Sequence, residues 1–391
     1  MIRPLPLLPS QPAAHWPELI SDLQARGLRW VDPRGPGLSR AGGAGPSDHK
    51  AVTIAGQTVM VPIFTRVSTD SPYTAEVGDD GASADLRRGG DWVTRIGFPR
   101  TPRFYAKTTV DGIPYWKIAR LHGEDVLATT VLQTCVRYGR RDTACQFCAI
   151  GQSLAAKSTV AEKTPSQLAE VAVAAVELDG VKHVVLTTGT PPTLDRGAQV
   201  LAEAARAIKA AVAVPVQAQC EPPDDLDWID RMADAGVDAL GMHIEAVTEA
   251  VRRRIMPGKA EVPLAAYFRA FAHAVGVFGR GQVSTYILAG LGDPPDAIVG
   301  ACRELVALGV YPFVVPFVPI AGTPLEGHPP PDPAMLDGVL DALSSLLASA
   351  GMRSTDVKAG CARCGACSSL RAREAFGRTP EGIGHQEILH G

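Results

Sequence analysis

From residue 125 onward the chain repeats one rhythm. A short apolar run is followed by a longer stretch whose apolar positions recur every three or four residues. The runs at 126–134, 181–187, 214–219, 237–243, 282–288 and 311–318 read as buried strands, and most stretches between them as amphipathic helices. Before the first of these helices, Thr164-Pro165-Ser166-Gln167 combines an N-cap threonine, a proline at the first helical position and a glutamine three residues on. Strand and helix in strict alternation predict parallel strands joined by right-handed crossovers. The expected fold class is α/β, a partial (β/α)6 TIM-like barrel over residues 125–325, with ligands collecting at the carboxyl ends of its strands.

The flanks have a different pattern. Residues 16–26 suggest a short amphipathic helix, and 33–47 are rich in Gly, Pro and Ser, as an exposed connector would be. Short strand-like runs follow. Those at 52–54 and 58–64 flank Ala55-Gly56-Gln57, and those at 103–110 and 113–118 flank Asp111-Gly112, a strong hairpin signal. Residues 1–124 therefore read as a mostly β N-terminal extension. Beyond Leu325 a proline-rich link, His328-Pro-Pro-Pro-Asp-Pro333, leads to a helix at about 333–350 and a cysteine-rich tail, and these make up a third segment, 326–391.

Charge narrows the partners. With 38 Lys and Arg against 41 Asp and Glu, the net charge of -3 gives no broad basic surface for nucleic acid or anionic membranes. No apolar run approaches the roughly 20 residues of a membrane span. The N-terminus, Met-Ile-Arg-Pro-Leu-Pro-Leu-Leu-Pro, is too broken by proline for a secretory signal. These features predict a cytoplasmic protein.

Of the eight cysteines, six fall in two tight clusters, as metal ligands do. Cys135, Cys145 and Cys148 lie on a loop after the first barrel strand. A cubane 4Fe-4S cluster on three cysteines keeps one iron without a protein ligand, whereas a closed structural site has four ligands. Zinc or unconnected thiols are the plainer alternatives, but zinc wants a fourth donor and no histidine is near in sequence. Arg137, Arg140 and Arg141 in the same loop could screen a cluster, dock an acidic electron donor, or simply be solvated. Cys220 and Cys302 suit buried apolar positions, although Cys220-Glu221 at the third strand's end points toward the site by topology.

The segment Cys145-Gln-Phe147-Cys148, preceded by Cys135, resembles the C-x-aromatic-C pair of radical S-adenosylmethionine (SAM) enzymes, in particular the biotin-synthase and lipoyl-synthase branch, over about 126–325. Here nine residues separate the first two cysteines where the family commonly has three. Added loop length costs little closure entropy. Further likenesses follow in chain order. Thr187-Thr188-Gly189-Thr190 resembles the turn that meets the methionine amino group, and Gly241-Met-His243-Ile-Glu245 the polar pair on the SAM ribose. Ile287-Leu-Ala-Gly290 resembles the segment that packs on adenine. The stretch 252–259 resembles one that would bring Arg254 to the SAM carboxylate, and 316–325 resembles the sixth-strand ending of biotin synthase. Over nearly the full length, the chain is similar to a radical SAM family encoded beside nitrilases in bacterial cyanide-assimilation clusters.

The resemblance implies that SAM chelates the open iron through its amino and carboxylate groups and is cleaved reductively to a 5′-deoxyadenosyl radical, which takes a hydrogen from a small-molecule substrate. The cofactor supplies the hard chemistry and the protein the positioning. It also implies an external flavodoxin- or ferredoxin-like electron donor. Cys361, Cys364 and Cys367 in the tail could hold an auxiliary iron-sulfur cluster, or a zinc ion with Cys220, Cys302 or a late histidine such as His385 as fourth ligand. The alternative to an enzyme is a non-catalytic iron-sulfur or zinc scaffold.

Overall fold

The computed structural model describes residues 16–33 and 48–376; all but the first residue of the connector expected at 33–47, and His385, lie outside them. A first sheet takes its strands from residues before the barrel. These are β1 (Arg29–Val31), β2 (His49–Ile54), β3 (Gln57–Pro62), β4 (Tyr73–Val77), β5 (Ser83–Arg88) and β6 (Asp91–Gly97), in spatial order β1-β4-β5-β6-β2-β3. The β2–β3 hairpin turns at Ala55 and Gly56, both at positive φ (48° and 76°), as a tight two-residue hairpin requires. The helix Trp16–Arg26 lays Ile20 and Leu23 on Val52, Val61, Tyr73 and Leu86, a core of its own.

One expectation fails here. No hairpin forms around Asp111-Gly112: Arg103–Ala106 is a 3-10 turn and Tyr115–Ile118 a single helical turn, with one isolated bridge between Thr108 and Pro114. The turn itself is present, closed by Gly112 N–H on Thr109 O (2.8 Å). The flanking backbone finds its partners elsewhere. The amides of Arg103 and Phe104 each donate to the Asp179 carboxylate at 2.9 Å, and the Tyr115 hydroxyl donates to Glu170 at 2.8 Å. Satisfied by the helix Pro165–Asp179, the segment needs no strand partner.

The second sheet has seven strands in sequence order: β7 (Arg120–His122), β8 (Val126–Thr130), β9 (His183–Thr187), β10 (Val216–Gln219), β11 (Ala239–Gly241), β12 (Val283–Ala289) and β13 (Val310–Pro316). All neighbours from β8 to β13 are parallel, so the six predicted strands form in the predicted order. β7, unanticipated, adds an antiparallel edge to β8. β13 does not pair with β7, and the sheet is a half-barrel with helices on its outside. Helix Pro165–Asp179 begins with the capping box read from sequence: Thr164 accepts from Gln167 N–H and Gln167 accepts from Thr164 N–H. Among the described residues no helix is long and apolar enough to cross a membrane.

The tail occupies the lumen. It passes the amino-terminal end of β12, where Gln282 holds Asp356 O and Lys358 N–H. Gly360 N–H then donates to His183 Nδ1 (3.2 Å). A Cβ on Gly360, whose φ is +112°, would lie 2.1 Å from the Gln217 side chain, so only glycine passes this point. After the cysteines the tail meets the first sheet: Met60 N–H and the Gln24 amide both donate to Ala366 O (2.7 and 3.0 Å). Arg373, buried, then pairs with Asp337 and Asp341 (2.6 and 2.7 Å).

Lys163 is also buried, with its amine on Thr130 O (2.6 Å) and Val160 O (3.2 Å) and no carboxylate among its bonded partners. Burial lowers its pKa from 10.5 to about 7. Between these values the unfolded chain binds the proton that the folded chain has released, so stability rises with pH from about 7 to 10.5 and the group opposes folding below that window. Urea unfolding of Lys163→Met across this range is expected to lack that rising component, while other titrations common to both proteins cancel in the difference.

Candidate active site

At the carboxyl end of the half-barrel the cysteine loop is seated by backbone contact on two sides. On one, Gly189 N–H donates to Leu132 O and Val136 N–H to Thr190 O, both at 2.8 Å. A Cβ on Gly189 would stand 2.0 Å from Thr134 O. On the other side Gly258 N–H donates to Thr143 O (3.1 Å), a Cβ on Gly258 would approach that oxygen to 2.6 Å, and Gln146 N–H donates to Ile255 O (2.8 Å). The long insertion between Cys135 and Cys145 is thus wedged between two glycines. Arg137 turns inward to pair with buried Glu221, whereas Arg140 pairs with Asp142 at the surface and Arg141 is exposed.

Cys145 and Phe147 pack on a small apolar cluster that includes Ile255, Met256, Leu291 and Phe317. Burial pushes the Cys148 thiol up to about 11 and raises Cys145 further, and electrostatic coupling links Cys148 to both Cys145 and Cys135. Among the described residues no three His, Cys, Asp or Glu side chains converge where a single metal ion would sit. The fold supplies instead two groups of neighbouring thiols, whose ligation of a cluster would displace their protons.

Around the loop stands a buried polar network. Glu221 accepts from Thr190 (2.8 Å) and pairs with Arg137 and, at 3.5 Å, Arg196. Burial opposes its charge, but Lys259, Arg137 and these hydrogen bonds prevail and hold its pKa low. Lys259 reaches both carboxylate oxygens of Glu245 at 2.6 Å. Burial disfavours the ammonium, yet Glu245, with Tyr267, Glu221 and Cys145 around it, outweighs burial and keeps Lys259 protonated. Glu245 sits at φ +53°, a strained setting for a non-glycine residue that the ion pair helps to hold. His243 Nδ1 accepts from Tyr286 N–H (3.2 Å), which assigns the ring proton to Nε2. Burial, with Lys259 nearby, lowers its pKa to about 3, so the ring is neutral. Its buried Nε2–H has no protein partner.

Below this network lies a cavity of about 320 Å³. Phe147, His243 and Glu245 line it, and so do Cys361, Cys364 and Cys367. Tyr286 bridges the two: its ring meets His243 edge-on (centroids 4.8 Å apart) and its phenol hydrogen-bonds Cys361. The Gln219 amide donates to Cys361 Sγ at 3.2 Å. Burial raises the Cys361 thiol, and these two bonds pull it back; burial lifts Cys364 to about 12. Gln24, His49 and Met60 of the N-terminal part close the remaining wall.

Other residues picked out by resemblance fall elsewhere. Thr187 lines the cavity; beyond it the Thr188 hydroxyl donates to Gly189 O (2.8 Å), while Gly189 and Thr190 bond the cysteine loop and Thr190 also Glu221. Strand alternation gives the cavity to Tyr286 and Leu288 and buries Ile287 in the core. Gly290, at φ +108°, is closed off by Pro331, 3.1 Å from a would-be Cβ. Arg254 donates to Leu291 O (2.8 Å). Cys220 and Cys302 are core residues, both lifted to about 12 by burial. Sequence reading missed Gln219, Tyr286, Lys259 and His122. A period-2 count back from Leu288 along β12 reaches Tyr286, and Gln219 stands level with Thr187 across the β9–β10 pairing; nothing local marks the others.

The donor set fits an iron-sulfur cluster with SAM: three cysteines on a braced loop, a neutral imidazole offering an unmet N–H, and a paired carboxylate beside it. Residues 140–305 match the family model of the Radical SAM superfamily, beginning five residues after Cys135. Bacteriochlorophyllide c C-7(1)-hydroxylase of Chlorobaculum limnaeum is 29% identical over 119 residues, 30% of this chain and 29% of that protein. The chain therefore spans under a third of the curated relative it matches. Among solved structures, methylornithine synthase is 17% identical with a TM-score of 0.46, covering 65% of this chain and 69% of that one. The FeFe-hydrogenase maturase HydG of Carboxydothermus hydrogenoformans is 17% identical with a TM-score of 0.43, covering 58% and 52%. The family match covers under half of the chain and marks residues 140–305 as similar to the Radical SAM superfamily.

Two substitutions test the site's construction. Gly189→Ala must push the cysteine loop aside; it is expected to cost about 1–3 kcal/mol and to lose most of the iron bound at the first triad, read by iron analysis after anaerobic reconstitution with far-UV circular dichroism unchanged. Lys259→Met strands a buried carboxylate and is expected to cost about 3–5 kcal/mol in urea unfolding, with much of the loss recovered in Lys259→Met/Glu245→Gln.

Proposed function

We propose that the protein binds a 4Fe-4S cluster on Cys135, Cys145 and Cys148, cleaves SAM there, and abstracts hydrogen from a small molecule held in the lumen cavity, facing a second iron-sulfur cluster on Cys361, Cys364 and Cys367. The observation that carries this reading is the shared cavity: one space of about 320 Å³ is lined both by Phe147, His243 and Glu245 and by all three tail cysteines. The bound cluster and SAM would supply the reductive C–S cleavage that yields the 5′-deoxyadenosyl radical. The chain's own residues do the rest. His243 presents Nε2–H as a donor toward the SAM ribose. Glu245, locked by Lys259, is an oriented acceptor beside it, and Phe147 with Phe317 keeps water from the reacting carbon.

The lining also bears on the substrate. It is mainly apolar, its hydrogen-bonding side chains include Gln24, His49, Thr187, Gln219, His243 and Glu245, and among the described residues it contains no Lys or Arg. That suits a small, nitrogenous molecule better than a phosphorylated or polycarboxylic one, in keeping with the resemblance to the family encoded beside nitrilases. With a second cluster across the cavity, the outcome would be sulfur insertion, or oxidation or rearrangement at carbon. A flavodoxin- or ferredoxin-like protein would deliver the electron, and exposed Arg140 and Arg141 are where an acidic donor would meet the cysteine loop.

Reconstituted protein with dithionite and SAM is expected to form 5′-deoxyadenosine, and Cys145→Ala to form none. Replacing Cys361, Cys364 and Cys367 together by Ala should leave uncoupled 5′-deoxyadenosine formation within about twofold and abolish substrate-derived product. No 5′-deoxyadenosine from iron-replete wild type would return the protein to the scaffold alternative.

A further inference from the structure

Three tail cysteines make an incomplete set for a closed iron-sulfur site, which takes four protein ligands. The fold puts a fourth donor beside the third cysteine. His122, the last residue of β7, is 7% exposed, and its Nε2 stands 3.4 Å from Cys367 Sγ. His122 and all three tail cysteines face the same cavity. The next residue is fitted to the same triad: Gly123 has φ +61°, and a Cβ there would come within 3.0 Å of Cys364 Sγ. The β7–β8 turn thus lies directly on the cysteines. Cys220 and Cys302, by contrast, are in the core and line no part of this cavity.

The spacing has chemical meaning. A sulfur and a nitrogen on one tetrahedral metal, at bond lengths of about 2.3 and 2.1 Å, are about 3.6 Å apart. The observed pair is already close to that separation, across two segments of the chain far apart in sequence. We propose that the tail holds a two-iron cluster in which His122 Nε2 is the fourth protein ligand, sharing an iron with Cys367, while Cys361 and Cys364 take the other. This inference rests on the iron-sulfur reading of the tail. It gives a cluster closed to substrate, which acts through its electrons or its sulfide. Histidine in place of a thiolate also raises the reduction potential of such a centre.

The experiment uses the full chain with Cys135, Cys145 and Cys148 replaced by Ala, so that only the tail site binds iron. After anaerobic reconstitution and reduction, pulsed EPR is recorded on protein made with ordinary and with 15N-labelled histidine. The expected result is a nitrogen coupling that follows the label, persists in His49→Ala and is lost in His122→Ala. His122→Cys should restore full iron content, lack the coupling and shift the potential downward. An iron-sulfur signal without histidine coupling, or with the coupling intact in His122→Ala, overturns the assignment and leaves the tail cluster standing. Absence of iron, or zinc in its place, overturns the tail cluster itself and this inference with it.

Discussion

Everything at the carboxyl end of this half-barrel depends on two places where backbone meets backbone with no room for a side chain. Gly189 against Thr134 and Gly258 against Thr143 hold the cysteine loop from opposite sides, at distances that exclude even a methyl group. A fourteen-residue span from Cys135 to Cys148 would otherwise be free to wander, since lengthening a loop carries only a small entropic penalty and gives no direction. Steric closure supplies that direction. The buried charges then do the finer work: Arg137 draws the loop toward Glu221, and Glu221 is fastened to Thr190 in the very turn that carries Gly189. The result is a continuous polar frame linking the cysteine loop to the ends of β9 and β10.

The cavity has three owners. The half-barrel contributes Phe147, His243 and Glu245, the tail its three cysteines, and the N-terminal part Gln24, His49 and Met60. An open sheet edge and an apolar lumen are both unfavourable in water. The flanking segments resolve both, which is why a tail so rich in cysteine is packed with barrel precision around Gly360, Ser368 and Arg373.

The barrel was legible in the sequence because strands buried on both faces write themselves as apolar runs and their crossovers as amphipathic helices. The cysteine loop was legible because C-x2-C after a strand is a local signal. What stayed hidden was long-range. Whether the Asp111-Gly112 turn carried strands was decided by Asp179 and Glu170, more than fifty residues away. His122 meets Cys367 across the length of the barrel, and Lys259 gains significance only from its closeness to Glu245. Ile287 shows the opposite limit: a motif match located the right strand, but the pleat gave its neighbours to the cavity.

The path of the tail has a further consequence for how the molecule is assembled. Gly360 must slip past Gln217 and His183 inside a sheet whose strands all precede it in the chain. The half-barrel can therefore form first, and the tail, which follows it in the chain, then completes the chamber. The cysteine loop thus belongs to the open vessel, and the three tail thiols to its stopper.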